Sequence, residues 1–592
     1  MSAHLSLNNI NTFWASLIVE ELFRNGVTYF CVAPGSRSTP LALAAAGHPG
    51  VITRVHFDER GLAFHALGYT SGSGKPAAVI TTSGTAVANC FPAVIEASKK
   101  KLPMIILTAD RPPELRATGA NQTIDQIKIF GDYARYFFDL PCPSEELSAQ
   151  SVLTTIDQAV FRARGLPPGP AHLNCMFREP LTPIKAPFAR ARLLKPLSVW
   201  LKSAAPYTTW RAADKVSSAA NVKEIAGRLD KIRRGIIVVG KLKNGTQRRA
   251  ALKLAEKLNW PVFPDITSGL RTATDHPLVF PYFDHLLLDE KSAGQWEIGG
   301  VIHLGGRMTS ARYYDFIKRA APREYIMILD HPLRNDPLHV VTLRLEARVS
   351  WLCAALAKIL PPRREAAWVK KLRKDNQTVH RSLDNFLNAR SGATEPGVCR
   401  QISELIPGGH GLFLGCSLPV REMDLYASPD GRSVEIGANR GASGIDGTLA
   451  SAIGFAEGRR RPATVLTGDL AFLYDINSLA LLREASFPLT IVIFNNNGGG
   501  IFSLLPIAGH PEHFEKMFGT PHDLTFKAAA ELFGLRYFQA DTSGDFARIY
   551  ASAAAGKIST IIEVITGRRD NARLQNNWQA QIKKTLKTAP LR

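Results

Sequence analysis

Several features are scarce or missing in this 592-residue sequence, and each absence narrows what the chain can be. No apolar run is long enough to span a bilayer, so no membrane partner is expected. The opening residues, MSAHLSLNNINTFW, lack a basic flank followed by an apolar core, so no secretory signal is expected. The seven cysteines (Cys31, Cys90, Cys142, Cys175, Cys353, Cys399 and Cys416) form no C-x-x-C pair and no metal spacing. They are expected to be reduced and mostly buried, as in a cytoplasmic protein. Val239-Gly240-Lys241 has the look of a dinucleotide-binding turn, but no G-x-G-x-x-G follows it. Acidic residues are few, 51 against 72 Lys and Arg, leaving a net charge of +21. The excess lies in 241–257, 363–374, 459–461 and Arg568-Arg569. These runs lack interleaved aromatics and any known nucleic-acid motif, so they read as solvated helix faces and linkers, with no nucleic acid expected.

What is present is a globular composition, 45% apolar and 21% charged, in a chain too long for one core. Apolar runs alternate with helical patterns, which predicts an α/β fold of three doubly wound parallel-sheet domains. The expected boundaries are 1–185, 215–360 and 375–570. A proline- and base-rich stretch at 183–215 reads as a linker, and 361–374 as a charged helix or linker. Strands are expected at 27–33, 51–57, 77–82, 104–108 and 172–175, then at 235–240, 261–266, 301–305 and 325–330. In the last domain they are expected at 411–414, 434–437, 463–467, 489–495 and 560–564.

The most informative stretch is ATVLTGDLAFLYDINSLALLREASFPLTIVIFNNNG, residues 463–498. Two apolar strands flank a helical segment with apolar residues at Leu473, Ile476, Leu479, Ala480 and Leu482. That is a strand–helix–strand unit with parallel strands. One strand ends in Gly468-Asp469, the next in Asn495-Asn496-Asn497-Gly498, and ligands of open α/β sheets bind at such ends. One carboxylate, amide oxygens and a backbone carbonyl form an incomplete set of hard ligands. Magnesium accepts such a set and completes it with water and phosphates. Asp469 and Asn496, 27 positions apart, are brought together by the crossover. The bland reading of the same residues is a pair of turns.

Other strand ends carry candidate groups. Ser36 and Arg37 sit in Pro34-Gly35-Ser36-Arg37-Ser38-Thr39-Pro40, where Ser38 or Thr39 is expected to cap the next helix and Pro40 suits its first turn. A carboxylate or phosphate fits there; the alternative is a capped turn with a surface arginine. Glu59, in Asp58-Glu59-Arg60-Gly61, opens a helix to about residue 72 and on its own suits the helix dipole. Ser83-Gly84-Thr85 opens a helix expected to run to Lys100. Arg312, after Gly305-Gly306-Arg307-Met308-Thr309, can reach an anion.

The motifs APGSRSTPL, HFDERG, TSGTAVAN, TADRPPEL, GANQ, NRGASGIDG and NNNGGGIFSLLP, in this order, resemble those of the thiamine diphosphate decarboxylase-like family, and in particular its menaquinone-biosynthesis branch. The resemblance covers nearly the whole chain and is weakest over 185–300. It implies pyrimidine-binding, central and diphosphate-binding domains in that order. It implies a transferase that uses thiamine diphosphate with Mg2+ or Mn2+, decarboxylates 2-oxoglutarate and adds the resulting succinyl-semialdehyde carbanion to isochorismate. It also implies a homodimer or homotetramer, in which the Glu-bearing domain of one subunit faces the diphosphate-bearing domain of another.

By the same resemblance Glu59 is the catalytic carboxylate at N1′ of the aminopyrimidine. Asp469, Asn496 and the Gly498 carbonyl are the metal ligands. Ser417, Ile445, Ile501 and Phe502 line the cofactor, with Ile445 supporting its bent form. Ser36, Arg37, Arg111, Asn121, Gln122, Arg312, Arg421 and Arg440 contact substrate, and Ser417 is also placed among those contacts. Both substrates are dicarboxylates, which planar guanidiniums hold bidentately. The chain departs from the wider pattern with Leu470 after Gly468-Asp469, Cys416 where Asn is often found, Ala311 where some relatives have Lys, and Gly500 where Gln can occur. Another thiamine diphosphate-dependent 2-oxo-acid decarboxylase or carboligase is the nearest alternative. A non-catalytic α/β binding protein is the other.

Overall fold

The structure, a computed structural model, describes residues 4–213 and 216–588. The first three residues of the expected first domain, the end of the expected linker at Asp214 and Lys215, and the expected start of the middle domain at 215 lie outside the described residues. Two compact units are present. One holds the described residues up to Ala213 with Asn439–Ala463 and Ala471–Leu489; the other holds the rest.

The first unit is built on strands β1 (Tyr29–Val32), β2 (Ile52–Val55), β3 (Ala77–Thr81), β4 (Met104–Asp110), β5 (Tyr136–Leu140) and β6 (Pro170–Met176). They form one parallel sheet in the order β2-β1-β3-β4-β6-β5. β1, β3, β4 and β6 are buried along their whole length, which is why β1 and β3 read as apolar runs; β4 and β6 also bury Thr108, Asp110, His172 and Asn174. The strand order reverses between β1 and β3, so the turn after each opens into the same crevice.

The stretch 183–213 is no loose linker. Leu193, Leu197 and Trp200 are buried in the core of this unit. Trp200 Nε1 donates to Glu21 Oε2 at 2.6 Å, Tyr207 N to Glu21 Oε1 at 2.6 Å, and Thr208 N to Asp157 Oδ2 at 2.6 Å. Burial, followed by the hydrogen bond and like charge of Asp157, pushes the Glu21 carboxyl up to about 9. Buried partners hide in a sequence whose periodicity is poor.

Two helices of the first unit, Glu59–Ser73 and Thr448–Arg459, cross with their backbones in contact. A Cβ at Gly68 or Gly72 would overlap the carbonyl of Ser451 or Phe455. One at Gly454 or Gly458 would overlap the carbonyl of His65 or Tyr69. Glycines four apart on both helices present one bare face each. The helix expected over 83–100 is broken in two, Thr85–Asn89 and Phe91–Lys100, with Pro92 in the first turn of the second.

The second unit carries two sheets. Strands β7 (Gly235–Val239), β8 (Val262–Pro264), β9 (Gly300–Leu304), β10 (Glu324–Leu329) and β11 (Leu343–Glu346) lie in the parallel order β11-β10-β9-β7-β8. Strands β12 (Gly411–Leu414), β13 (Glu435–Ala438), β14 (Ala463–Gly468), β15 (Leu489–Asn495), β16 (Arg536–Gln539) and β17 (Thr560–Ile565) form the other, in the order β13-β12-β14-β15-β17-β16. That order repeats the first unit's sheet strand for strand, with its reversal between β12 and β14. The two sheets of this unit share one continuous apolar core.

Arg271, with no solvent exposure, spans the two layers. It donates to the carbonyls of Asp424 (3.0 Å), Leu425 (3.2 Å) and Ala427 (3.0 Å), and so caps the helix Leu418–Tyr426. The charged stretch after 361 forms the helix Ala367–Asn388. The single helix expected between β14 and β15 is instead one short turn, Asp469–Tyr474, then a 3₁₀ segment, Ile476–Arg483. All seven cysteines are free and buried. No helix among the described residues is long and apolar enough to cross a membrane.

Candidate active site

In the second unit the site grows from the reversal between β12 and β14. After β12, Ser417 adopts φ +69°, a left-handed conformation that costs a non-glycine residue about 1–3 kcal/mol. Arg421, one turn into the following helix, donates to the Ser417 carbonyl at 2.6 Å and fixes that turn. Cys416 is buried beneath it.

β14 delivers Asp469, only 2% exposed, as the first residue of its helix. Its Oδ1 accepts Leu470 N at 2.7 Å, and its Oδ2 accepts Gly498 N at 2.8 Å. His522 Nδ1 accepts Leu524 N, so its proton sits on Nε2, which points at Asp469 Oδ2 at 3.2 Å. Burial raises the Asp469 carboxyl above its usual range, and the bonds from Gly498, Leu470 and His522 oppose that rise.

β15 delivers Asn496, 6% exposed. Its Nδ2 donates to Glu395 Oε1 at 3.1 Å, while its Oδ1 is buried with no partner. With no protein donor on it, that oxygen can take a water or coordinate a cation. Gly498, at φ +126°, is pressed so close to the Gly519 carbonyl that no Cβ fits, and its own carbonyl accepts Gly500 N at 2.9 Å. Asn497 ties down the facing loop, accepting from His522 N and Asp523 N. Ile501 and Phe502 lie half-buried on the 3₁₀ turn Gly500–Leu504, with the Phe502 ring edge-on to Phe518 at 5.5 Å. The carboxylate, the bare amide oxygen and the glycine-rich approach fit a divalent cation bearing phosphates. Such a set has one carboxylate; among the described residues no cluster of three or more His, Cys, Asp or Glu is arranged for a metal.

Arg312 stands elsewhere in the second unit. Its guanidinium is engaged by Asp284 and donates to Gln579 Oε1 at 2.9 Å.

In the first unit, Glu59 is the first residue of its helix, capped by Asp58, whose Oδ1 accepts from Arg60 N and Gly61 N. Asn89 Nδ2 donates to Glu59 Oε2 at 3.1 Å and fixes its carboxylate from the end of the short helix Thr85–Asn89. Arg37 is buried, 6% exposed, and donates to the Phe177 carbonyl at 2.9 Å. Burial, then the neighbouring Arg111 guanidinium, lower its pKa. The Arg37 guanidinium also pairs with Glu179 Oε1 at 3.4 Å. Arg111 donates to the Asn121 carbonyl at 2.8 Å. Gln122 is locked to the turn after β3: its carbonyl accepts Ser83 Oγ, and its Nε2 donates to the Ser83 carbonyl. Ser36 uses its carbonyl to accept Thr39 N and Oγ1. The expected hydroxyl cap of the next helix does not form, because Ser38 Oγ turns back to the Gly35 carbonyl.

Arg440 and Ile445 lie on a loop of the same unit that is gripped by Glu96. The Glu96 carboxylate accepts Gly441 N at 2.7 Å and Ala442 N at 2.6 Å. Asn89, Glu96, Glu395 and His522 escaped sequence reasoning. Asn89 closes the quoted TSGTAVAN motif and was within reach; the others are single polar residues with no spacing signal.

Three family models match along the chain. They are the "Thiamine pyrophosphate enzyme, N-terminal TPP binding domain" over 14–129, the "Middle domain of thiamine pyrophosphate" over 191–414, and the "C-terminal TPP binding domain" over 429–564. A solved structure of Rhodococcus jostii RHA1 thiamine diphosphate-dependent 4-hydroxybenzoylformate decarboxylase shares the fold, with a TM-score of 0.71 at 17% identity over 94% of this chain and 99% of that one. The fold and its matched domains thus define a thiamine pyrophosphate enzyme. A Rubrobacter xylanophilus protein named 2-succinyl-5-enolpyruvyl-6-hydroxy-3-cyclohexene-1-carboxylate synthase is 48% identical over 95% of this chain and 97% of its own length. One of the same name from Salinibacter ruber is 42% identical over 98% of both. The chain belongs to that synthase family.

Proposed function

We propose that this chain decarboxylates 2-oxoglutarate and adds the resulting four-carbon unit to isochorismate, forming 2-succinyl-5-enolpyruvyl-6-hydroxy-3-cyclohexene-1-carboxylate and carbon dioxide in menaquinone biosynthesis. The observation that carries this reading is the near-full-length identity to synthases of that name, joined to an unpartnered Asn496 oxygen beside Asp469. Thiamine diphosphate, when bound, supplies the carbanion-stabilising thiazolium. Asp469, Asn496 and the Gly498 carbonyl hold Mg2+ or Mn2+ against its diphosphate. Glu59, steadied by Asn89, holds a proton at N1′ of its aminopyrimidine. Ile445, Ile501 and Phe502 keep water from the reacting carbon. Ser36, Arg37, Arg111, Asn121, Gln122, Ser417, Arg421 and Arg440 receive the carboxylates of the two substrates. Arg312 joins them by exchanging Asp284 for a substrate carboxylate. The active unit is a homodimer or homotetramer in the cytoplasm, with Glu59 of one protomer facing the metal cage of its partner. The domains run 1–185, 215–360 and 375–570, with the stretch up to Ala213 packed on the first of them.

The test is direct. Purified protein with thiamine diphosphate, Mg2+, 2-oxoglutarate and isochorismate should release carbon dioxide in step with loss of isochorismate. Turnover of pyruvate alone, with isochorismate untouched, would place the chain among other 2-oxo-acid decarboxylases. Glu59→Gln should keep the fold and bind cofactor within a few-fold, yet lose about 10²-fold or more in kcat.

A further inference from the structure

We infer that Glu395 is a positioning residue of the metal site: it sets which end of the Asn496 amide faces the cation. This rests on reading Asn496 as a metal ligand. A carboxamide has two ends of nearly equal shape and opposite use, since only the oxygen can coordinate a metal. Something must choose between them. Glu395, on the first turn of the helix Glu395–Leu405, accepts Asn496 Nδ2 through its Oε1 at 3.1 Å. With Oε1 taking the nitrogen end, Oδ1 is turned away from Glu395. Oδ1 is indeed the end left buried and bare.

Two further observations say that this orientation is built rather than incidental. Glu395 is itself held. The same Oε1 accepts Thr566 Oγ1 at 2.8 Å, and a second buried carboxyl, Glu422, stands close to it. Glu422 in turn accepts Asn571 Nδ2 at 2.8 Å and Gln575 Nε2 at 2.7 Å. The other side of the amide is shaped as well. A Cβ at position 500 would lie 2.6 Å from Asn496 Nδ2, and Gly500 leaves that space open.

The experiment uses the full chain with thiamine diphosphate and Mn2+ as the probe, following bound Mn2+ by electron paramagnetic resonance, with thermal melts as a check on folding. Glu395→Leu should weaken Mn2+ binding by about 10- to 100-fold, the range for loss of a group that orients a metal ligand. Activity should return at saturating metal. Glu395→Gln, which can keep an oxygen toward Asn496 and a nitrogen toward Glu422, should stay within about threefold of wild type. Asn496→Asp removes the need for a choice, since both ends are then oxygen, and sets two carboxylates face to face. In that background Glu395→Gln should tighten Mn2+ binding several-fold, and this coupling decides the matter even if the leucine variant fails to fold.

The inference is overturned if folded Glu395→Leu binds Mn2+ like wild type, if Gln loses as much as Leu, or if Glu395→Gln acts by the same factor in both backgrounds. Failure of the wild-type protein to retain Mn2+ with thiamine diphosphate would overturn the metal-site reading itself, and this inference with it.

Discussion

The carboxylate of Glu96 accepts the backbone N–H of Gly441 at 2.7 Å, joining residues 345 positions apart inside one compact unit. With the neighbouring bond from Ala442 N it sets the loop that carries Arg440 and Ile445. Glu96→Gln keeps the shape but turns an N–H toward a backbone N–H, stranding one donor at a cost of about 1–3 kcal/mol. The expected result is a lower melting temperature and a fall of about tenfold or more in kcat/KM, read by calorimetry and steady-state kinetics.

Gly500 gives a second prediction. Gly500→Ala should displace the Asn496 amide without touching any charged group, because its Cβ would stand 2.6 Å from Nδ2. Metal affinity should fall by about tenfold while the melting temperature of the metal-free protein changes little, as measured by Mn2+ titration and thermal melts.

Arg271 anchors the helix that bears Arg421 by donating to three of its C-terminal carbonyls. Arg271→Ala strands all three in a dry interior and should cost about 3 kcal/mol or more, seen as a lowered denaturation midpoint. Arg271→Lys should recover part of that loss, since an ammonium lacks the planar fork.

Glu20 and Glu21, adjacent on the helix Ile10–Arg24, should drive stability in opposite directions with pH. For Glu20, burial pushes upward, but bonds from His48, Arg24 and His4 N outweigh it and bring the carboxyl to about 2. Its folded value lies below the unfolded one, so its stabilisation is present above about pH 4.5 and is lost as pH falls toward 2. Glu21 sits at about 9, above its unfolded value. Its contribution is therefore complete below about pH 4.5 and is lost as pH rises through 9, at up to about 1.4 kcal/mol per pH unit. Asp157→Asn removes the like charge and should flatten the alkaline arm. Melting temperatures across pH 3–9.5 would show both arms, and an unchanged alkaline slope in the variant would refute the second.

The buried strands were legible, and the three strands that were missed all lie at sheet edges, although the edge strands β2, β8 and β13 were found. β5, β11 and β16 each lie at the rim of a sheet, with one side free of neighbours and partly exposed residues. Sequences such as Leu343-Arg344-Leu345-Glu346 and Arg536-Tyr537-Phe538-Gln539 carry too much polarity to read as apolar runs. That Asp469 and Asn496 stand at neighbouring strand ends was legible because a strand end places its polar residues by position alone. Glu395 was not, because a glutamate after Thr394 and before Pro396 reads as an ordinary helix start, and the structure does show that cap. Its second use depends on contact with a residue 101 positions away.

The glycine-faced crossing of Glu59–Ser73 with Thr448–Arg459 bears on how the chain is made. The ribosome releases the first of these helices nearly four hundred residues before the second. Its bare face, with the catalytic candidate at its head, therefore waits uncovered through most of translation. A chain truncated before residue 448 would hold that face permanently open, as a ready seat for the matching helix of another molecule.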